Sequence, residues 1–248
     1  MIKNFKINSK VSIGYDNPCF IIAEAGVNHD GSTSKAKELV DAAVEAKADA
    51  VKFQMFKTEK YASDDAFLAT YHKKGRVHKK EDIKSLLRRL ELSESQLVEV
   101  FDYAKKKNIF VFSTSFDVGN AKFLFNLGMK LIKVASFSLT NYPLIKYLAK
   151  QNLPMIVSTG LHKLGEIEKT YELIKSTGNN KIALLQCTSH YPSYAKDANL
   201  RVMDTLKNAF DCIVGYSDHT MGINVSLASV AMGAKIVEKH FTLETNSF

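Results

Sequence analysis

Hydrophobic residues along the chain alternate between short β-branched runs and longer segments with an amphipathic helical pattern. The short runs predict an N-terminal hairpin between Phe5 and Ile13, turning at Asn8–Lys10, followed by eight strands. The eight predicted strands are Phe20–Glu24, Ala50–Gln54, Ile109–Ser113, Leu131–Ala135, Met155–Ser158, Ile182–Gln186, Cys212–Tyr216 and Ala234–Glu238.

Helical periodicity fills the segments between these strands, and several segments open with Ser or Asn, which are favourable N-cap residues. The predicted helices are Ser34–Ala46, Ser93–Lys107, Gly119–Leu127, Tyr142–Lys150, Leu164–Ser176, Leu200–Ala209 and Asn224–Met232. This alternation predicts an α/β fold, a (β/α)8 TIM barrel rather than an open doubly wound sheet.

We expect one domain over residues 1–248, with the hairpin at 1–17 and the barrel at 18–248. The last helix of the barrel is expected to be missing, because the sequence ends soon after the eighth strand. An apolar flank of the first and last strands would then be uncovered.

Composition limits the classes of partner. A hydrophobic content of 46% with 24% charged residues predicts a folded globular chain, and no apolar run is long enough to cross a membrane. The three cysteines lack metal-type spacing, so we expect reduced thiols and a cytoplasmic protein. The net charge is +8, but the lysines are scattered over predicted helix exteriors, so nucleic acid is not an expected partner.

Polar and ionisable residues end nearly every predicted strand. In a barrel these ends meet at one mouth, which is where such folds carry their chemistry. The residues are Glu24, Lys52, Gln54, Ser113–Ser115, Lys133, Ser136, Ser158, Thr159, Gln186, Thr188, Ser189, Ser217–His219 and Glu238–His240.

Two lysines, Lys52 and Lys133, lie in the middle of apolar strands, where an ammonium is costly to bury unless it is paired. An anionic ligand bearing phosphate or carboxylate is the favoured partner, since hydroxyl donors stand at neighbouring strand ends. A structural ion pair with Glu24 or Glu238 is the alternative. The chain lacks the glycine-rich nucleotide motifs, so a nucleotide is not indicated.

Two histidines, His219 and His240, end the last two strands, which are neighbours in a barrel. Together they can hold a divalent ion with open positions for water or a substrate carbonyl. Glu24, on the adjacent first strand, could add a carboxylate or move a proton. Hydrogen-bonded rim histidines are the alternative.

Tyr191, before Pro192, is predicted to present a ring at the mouth, and Cys187 is predicted to be a small packed side chain.

These motifs, in this order, resemble those of the sialic acid synthase family, the phosphoenolpyruvate-condensing nonulosonate synthases. The resemblance covers Phe20–Leu243. It is carried by Ile22–Gly31 (IAEAGVNHDG), Val51–Gln54 (VKFQ), Phe112–Thr114 (FST), Lys133–Ser136 (KVAS), Asn141–Ile145 (NYPLI), Val157–Gly160 (VSTG), Gln186–Thr188 (QCT), Gly215–Thr220 (GYSDHT) and Val237–Thr242 (VEKHFT).

The resemblance implies condensation of phosphoenolpyruvate with an N-acylated hexosamine, such as N-acetylmannosamine, to a nine-carbon 2-keto sugar acid and phosphate. It implies a homodimer and a divalent metal, Mn²⁺ or Mg²⁺, on His219 and His240, with Glu24 as acid/base. The implied phosphoenolpyruvate contacts are Lys52, Thr114, Lys133, Ser136, Ser158 and Ser217. The implied sugar contacts are Gln54, Ser189 and Tyr191.

The chain also departs from the family pattern. Ser138 stands where a glutamate is usual, and the C-terminal antifreeze-like domain is not in the sequence. The long connection from Met55 to Leu92, with a short helix predicted at Asp82–Leu90, is expected to form a lid over the sugar, a plain surface insertion being the alternative.

Two other functions stay open. One is another phosphoenolpyruvate-dependent deoxy-sugar-acid synthase, whose aldose phosphate would need a further basic site at Arg76, Arg88 or Arg89. The other is a non-catalytic ligand-binding barrel in surface-polysaccharide biosynthesis.

Overall fold

A computed structural model describes residues 3–9, 11–62 and 82–244. Eight parallel strands close into a barrel in the order β10-β3-β4-β5-β6-β7-β8-β9, which confirms the predicted TIM-barrel fold. The barrel strands are β3 (Phe20–Gly26), β4 (Ala50–Met55), β5 (Phe110–Ser115), β6 (Ile132–Val134), β7 (Met155–Ser158), β8 (Ile182–Cys187), β9 (Ile213–Asp218) and β10 (Ile236–His240).

Helices surround the barrel and bury their apolar stripes against it. Ser32 and Ser93 cap α1 and α4 by accepting hydrogen bonds from backbone N–H groups. The helices are α1 (Thr33–Glu45), α2 (Thr58–Tyr61), α3 (Ile83–Leu90), α4 (Glu94–Lys106), α5 (Val118–Asn126), α6 (Tyr142–Ala149), α7 (Leu164–Lys175), α8 (Val202–Phe210) and α9 (Asn224–Ala231).

The predicted hairpin is present as antiparallel strands β1 (Asn4–Lys6) and β2 (Ser12–Gly14). Phe5 pairs with Ile13, and both side chains join the main hydrophobic core. The Tyr15 hydroxyl donates a hydrogen bond to the carbonyl oxygen of Cys212, just before β9 begins. The hairpin therefore covers the base of the barrel and leaves the carboxyl ends of the strands open.

Several strands run further than predicted. β5 continues to Ser115, β9 to Asp218 and β10 to His240, each two residues beyond its predicted end. The backbone keeps its parallel pairing there, as in the register of His240 with Glu24. Successive side chains point to opposite faces, so Glu238 faces the lysines inside the barrel, whereas Asp218 accepts a hydrogen bond from Ser226 of α9. Polarity at these positions therefore does not mark the end of a strand.

The long connection contains α2, which the sequence pattern does not predict, and α3, which it does. Phe56 after β4 packs with Leu86, Leu87 and Leu90 of α3 in a small second core. The middle of the predicted lid, with Arg76, lies outside the described residues, so the lid stays a prediction.

After β10 the described residues 241–244 form no helix. Beside the first and last strands, Ile21 on β3 is 38% exposed, whereas Val237 on β10 is buried. Within the described ranges, no helix has the length and hydrophobicity needed to cross a membrane.

Candidate active site

Lys52 lies inside the barrel on β4 and is only 2% exposed. Its Nζ is 2.7 Å from Glu24 Oε2 and 3.7 Å from Glu238 Oε2, and it donates a 3.0 Å hydrogen bond to Thr114 Oγ1. Both carboxylates considered from the sequence as ion-pair partners are therefore in place. Side chains from three other strands therefore surround the ammonium and take the place of water.

Lys133, on β6, is buried in the same interior. Its Nζ donates to Ser158 Oγ at 2.7 Å and lies 3.5 Å from Glu238 Oε1, which also accepts a 3.1 Å hydrogen bond from Ser217. Glu238 is thus the carboxylate that joins the two lysines. We call this group the lysine pocket; its members are Lys52, Thr114, Lys133, Ser158, Ser217 and Glu238.

Burial and pairing compete in setting the pKa values of these groups. Burial raises the pKa of Glu238, but the ammoniums of Lys133 and Lys52 outweigh it and bring the pKa to about 2. For Glu24 burial wins over the attraction of Lys52, so its pKa is raised. Burial also lowers the pKa of Lys133, against the opposing effect of Glu238. The Glu24 carboxyl is therefore better suited to proton transfer than Glu238.

Ser136 follows β6 on the far side of the pocket. Its Oγ accepts a 3.1 Å hydrogen bond from the backbone N–H of Gly160. A Cβ at Gly160 would lie 3.0 Å from Ser136 Oγ and 2.7 Å from Ser189 Oγ. The two serines therefore converge on a space that only a glycine leaves open.

His219 and His240 meet at the mouth, with ring centroids 5.6 Å apart. Tyr191 packs beside them, 4.0 Å from the His219 ring and 5.8 Å from the His240 ring. The Tyr191 side chain is 38% exposed, and His240 is exposed as well. We call Tyr191, His219 and His240 the histidine rim.

The surroundings of the two imidazoles suit metal binding. His219 Nδ1 is 2.7 Å from the carbonyl oxygen of Thr188, which can only accept, so Nδ1 donates this hydrogen bond and Nε2 is the ring atom left to bind a metal. Burial in the crowded mouth and then the Lys52 ammonium lower the pKa of His240 to about 4, although part of the residue is exposed. The His240 ring is therefore neutral at pH 7, which is the state a metal ion requires.

The residues present fit a divalent ion held by two protein ligands. Among the described residues, no group of three or more His, Cys, Asp or Glu side chains is arranged to hold a metal. An ion on His219 and His240 would keep several positions open, as catalytic sites do.

Glu24 connects the pocket to the rim. A Cβ built at Gly26, where φ is +54°, would lie 3.3 Å from Glu24 Oε1, 3.3 Å from Gln54 Nε2 and 3.4 Å from His240 Cε1. Gln54 Nε2 donates a 2.7 Å hydrogen bond to Glu24 Oε1. The carboxylate thus faces Lys52 with one oxygen and the histidine rim with the other.

The predicted sugar residues lie at separate points around the mouth. Gln54 is on β4 and Ser189 follows β8, which stands across the barrel from β4 in the strand order. Tyr191 contacts the histidines. The three can therefore contact different parts of one ligand.

Two residues near the site were not among the predicted site residues. Glu238 was considered only as a structural partner, yet it contacts both lysines and Ser217. Cys187 is buried as predicted, but its Sγ lies 4.0 Å from His219 Nδ1. Burial raises the pKa of this thiol, whereas contacts with His219 and Ser136 lower it, and the net pKa is below the usual value. Their position in the sequence could have identified both as site residues, since both lie at the carboxyl ends of strands.

Comparison with known proteins gives one consistent result. The profile of the NeuB family matches residues 39–247. The chain is 44% identical over 228 residues to the N,N'-diacetyllegionaminic acid synthase of Campylobacter jejuni, covering 91% of this chain and 68% of that protein. The synthase of the same name from Legionella pneumophila is 42% identical over 248 residues, covering 98% of this chain and 69% of that protein.

A solved structure agrees. The N-acetylneuraminic acid synthetase of Leptospira borgpetersenii, in complex with citrate, superposes with a TM-score of 0.87 at 34% identity, covering 97% of this chain and 79% of that chain. The match of the family profile, the identity to two curated synthases and the shared barrel all lead to the same assignment: this chain belongs to the NeuB family.

Proposed function

We propose that the chain condenses phosphoenolpyruvate with an N-acylated hexosamine, releasing phosphate and forming a nine-carbon 2-keto sugar acid. The observation that carries this proposal is the meeting of two buried ammoniums with two imidazoles at one mouth, with Glu24 between them. The synthase names of the relatives support the reaction class.

The lysine pocket is proposed to bind phosphoenolpyruvate. Lys52 and Lys133 supply charge, and the Thr114, Ser158 and Ser217 hydroxyls supply hydrogen bonds to phosphate and carboxylate oxygens. Ser136, beside the pocket, adds a further hydroxyl. Because Glu24 and Glu238 already balance the two ammoniums, a trianion brings uncompensated negative charge into the site. A divalent cation would offset that charge.

The histidine rim is proposed to hold that cation, Mn²⁺ or Mg²⁺, through His219 and His240. When bound, it would supply Lewis-acid polarisation of the aldehyde oxygen of the open-chain sugar. The rings are oriented for this role by the Thr188 carbonyl and by Tyr191.

Glu24 is proposed as the acid/base residue. The enol carbon of phosphoenolpyruvate forms a bond with the aldehyde carbon, which leaves an alkoxide on the former aldehyde oxygen and a cationic centre at C2. Water adds to C2 and gives a proton to Glu24, which passes it to the alkoxide. The C–O bond to phosphate then breaks, and the proton of the C2 hydroxyl leaves with the phosphate to give the ketone. The raised pKa of the buried Glu24 carboxyl suits this proton transfer near neutral pH.

The acceptor is proposed to lie against Gln54, Ser189 and Tyr191, and an N-acetylated sugar is the class that the relatives' names favour. An aldose phosphate is less well supported, because it would need a second cationic site. Arg88, one of the predicted candidates, is paired with Glu59 at 2.6 Å.

A homodimer, a single domain and a cytoplasmic location stay predictions; light scattering of the purified chain tests the first.

The test is phosphate release from phosphoenolpyruvate with Mn²⁺ and a panel of N-acetylmannosamine, diacetamido hexoses and aldose phosphates. Release with an N-acyl sugar, abolished by EDTA, supports the proposal. Release only with an aldose phosphate would favour the deoxy-sugar-acid synthase. Calorimetric binding of phosphoenolpyruvate without release from any sugar would favour the ligand-binding barrel.

A further inference from the structure

Two cross-strand pairs join β9 to β10 directly before the two histidines of the rim. In the register of these strands Glu238 pairs with Ser217, and Lys239 pairs with Asp218. Glu238 and Ser217 point into the barrel, where a 3.1 Å hydrogen bond joins them as members of the lysine pocket. Successive side chains alternate between faces, so the next pair lies on the outer face of the barrel wall, with Lys239 Nζ 2.9 Å from Asp218 Oδ2. We call Asp218 and Lys239 the outer pair.

Hydrogen bonds from the protein fill the Asp218 carboxylate. The side chain is fully buried, and it accepts hydrogen bonds from the Thr220 backbone N–H and hydroxyl, both at 2.8 Å, and from the Ser226 hydroxyl of α9. The Lys239 ammonium donates the fourth, and it also donates a 2.8 Å hydrogen bond to the Thr220 carbonyl oxygen. A carboxylate has about four acceptor sites. Asp218 therefore keeps none for a ligand, and its geometry is fixed.

The outer pair is adjacent to both histidines of the rim. Asp218 precedes His219 and Thr220 follows it, and the hydrogen bond from the Thr220 N–H to Asp218 Oδ1 closes a tight turn around the histidine. His240 follows Lys239 directly at the end of β10. One buried ion pair thus holds the backbone beside each histidine and links the two strands that carry them.

The direction of the outer pair means that it acts on the site only through the backbone. Asp218 faces Ser226 of α9, whereas the lysine pocket lies inside the barrel. His219 and His240 come from separate strands, so they can share one ion only while the two strand ends keep a constant separation; their ring centroids are 5.6 Å apart. Groups that orient metal ligands commonly change metal affinity by about 10- to 100-fold.

We propose that the outer pair positions His219 and His240 to share one divalent ion. This inference rests on the proposed function and deepens it, because the ion is the one proposed for the histidine rim. The pair sets the separation of the two strand ends before the ion binds, so binding does not have to order them. Asp218 and Lys239 are therefore positioning residues and touch no reactant.

The test measures the binding of Mn²⁺ and of phosphoenolpyruvate separately in Lys239→Met, which removes the ammonium and keeps a long side chain. The signal of free Mn²⁺ in electron paramagnetic resonance gives the dissociation constant of the metal, and calorimetry in EDTA gives that of phosphoenolpyruvate. The Mn²⁺ affinity should fall about tenfold. The phosphoenolpyruvate affinity should not change, because the inner pair of Ser217 and Glu238 is intact. A general loosening of β9 and β10 would weaken both ligands.

Lys57→Met is the matched control, because Lys57 forms a similar pair after strand β4, 2.8 Å from Glu91. It should bind Mn²⁺ as the wild type does. Lys239→Arg keeps the ion pair and should restore most of the Mn²⁺ affinity. Ser226→Ala removes one of the four hydrogen bonds to Asp218 and serves if Lys239→Met does not fold. It should weaken Mn²⁺ binding about threefold.

Wild-type Mn²⁺ affinity in Lys239→Met, or in Ser226→Ala where only that variant folds, would overturn the positioning role alone. An equal loss of affinity for Mn²⁺ and phosphoenolpyruvate would overturn it as well. Mn²⁺ binding that His240→Gln leaves unchanged would overturn the histidine site of the proposed function, and the positioning role with it.

Discussion

The lysine pocket and the histidine rim lie a few side chains apart but are built differently. In the pocket, each ammonium already has carboxylate and hydroxyl partners from other strands, and all the side chains are buried. In the rim, Tyr191 and His240 are exposed, and the contacts are ring faces and one backbone carbonyl. The difference indicates that the pocket contributes to folding as well as to binding, whereas the rim contributes to binding alone.

Glu24 is the residue where the two regions meet, so its replacement should have the largest effect on activity. Glu24→Gln keeps the shape and the hydrogen bond from Gln54, but it loses the ion pair with Lys52 and cannot accept a proton. We expect the rate of phosphate release in a single turnover to fall about 1000-fold, or about 4 kcal/mol. Glu244→Gln, at an exposed position, is the control. If Glu24→Gln kept more than a tenth of the wild-type rate, the Glu24 carboxylate would not be the acid/base residue of the reaction.

Glu238→Gln tests whether the pocket stabilises the fold. The substitution leaves Lys133 buried without its carboxylate neighbour, and breaking a buried pair in this way costs about 3 kcal/mol of unfolding free energy. Glu99→Gln, which breaks the surface pair with Lys37, should cost less than about 1 kcal/mol. Urea unfolding measures both. Equal losses of unfolding free energy in the two variants would mean that the lysine pocket stabilises the fold no more than a surface ion pair does.

His240→Gln tests the opposite expectation for the rim. Without metal, the free energy of unfolding of the variant in urea should lie within about 0.5 kcal/mol of the wild-type value, since the replaced side chain is exposed. Mn²⁺ at a hundred times its dissociation constant should stabilise the wild type by about 2.7 kcal/mol, reversibly with EDTA. It should not stabilise the variant. An equal metal effect in both proteins would place the ion elsewhere.

The barrel and the polar mouth could be predicted because each depends on local periodicity. Lys52 and Lys133 stand out within apolar strands, and the ends of parallel strands must meet. The role of Glu238 could not be predicted, because it depends on the register across the closure of the barrel. β10 pairs with β3 and β9, placing Glu238 beside Ser217 and pointing it at both lysines.

The rim and its surroundings were harder to predict for a different reason. Tyr191 and Phe137 lie in turns after strands, where no periodicity states the direction of a side chain. Phe137 follows Ser136 directly, yet one side chain faces the pocket region and the other faces solvent. Only the geometry of the 3-10 turn Ser136–Ser138 separates them.

The smallest effect is expected outside both regions, where Glu91 joins α3 to the loop after β4. Its carboxylate accepts hydrogen bonds from Lys57 Nζ at 2.8 Å and from the Thr58 backbone and hydroxyl at 3.0 and 3.1 Å. Burial raises the pKa of Glu91, but these donors outweigh it and the net pKa is lowered. The stabilisation is therefore complete above the unfolded pKa of about 4.3 and is lost as pH falls through the lower folded value.

The stability difference between the wild type and Glu91→Gln should accordingly be less than about 1 kcal/mol and constant from about pH 7 to pH 5. It should shrink below about pH 4, as the folded carboxylate takes up its proton. Glu45→Gln, at an exposed position on α1, controls for the general loss of a negative charge. If the stability difference between the wild type and Glu91→Gln grew as the pH fell, the donors would stabilise the neutral carboxyl and not the carboxylate. Glu91 would then not be held by charge pairing as the groups of the lysine pocket are.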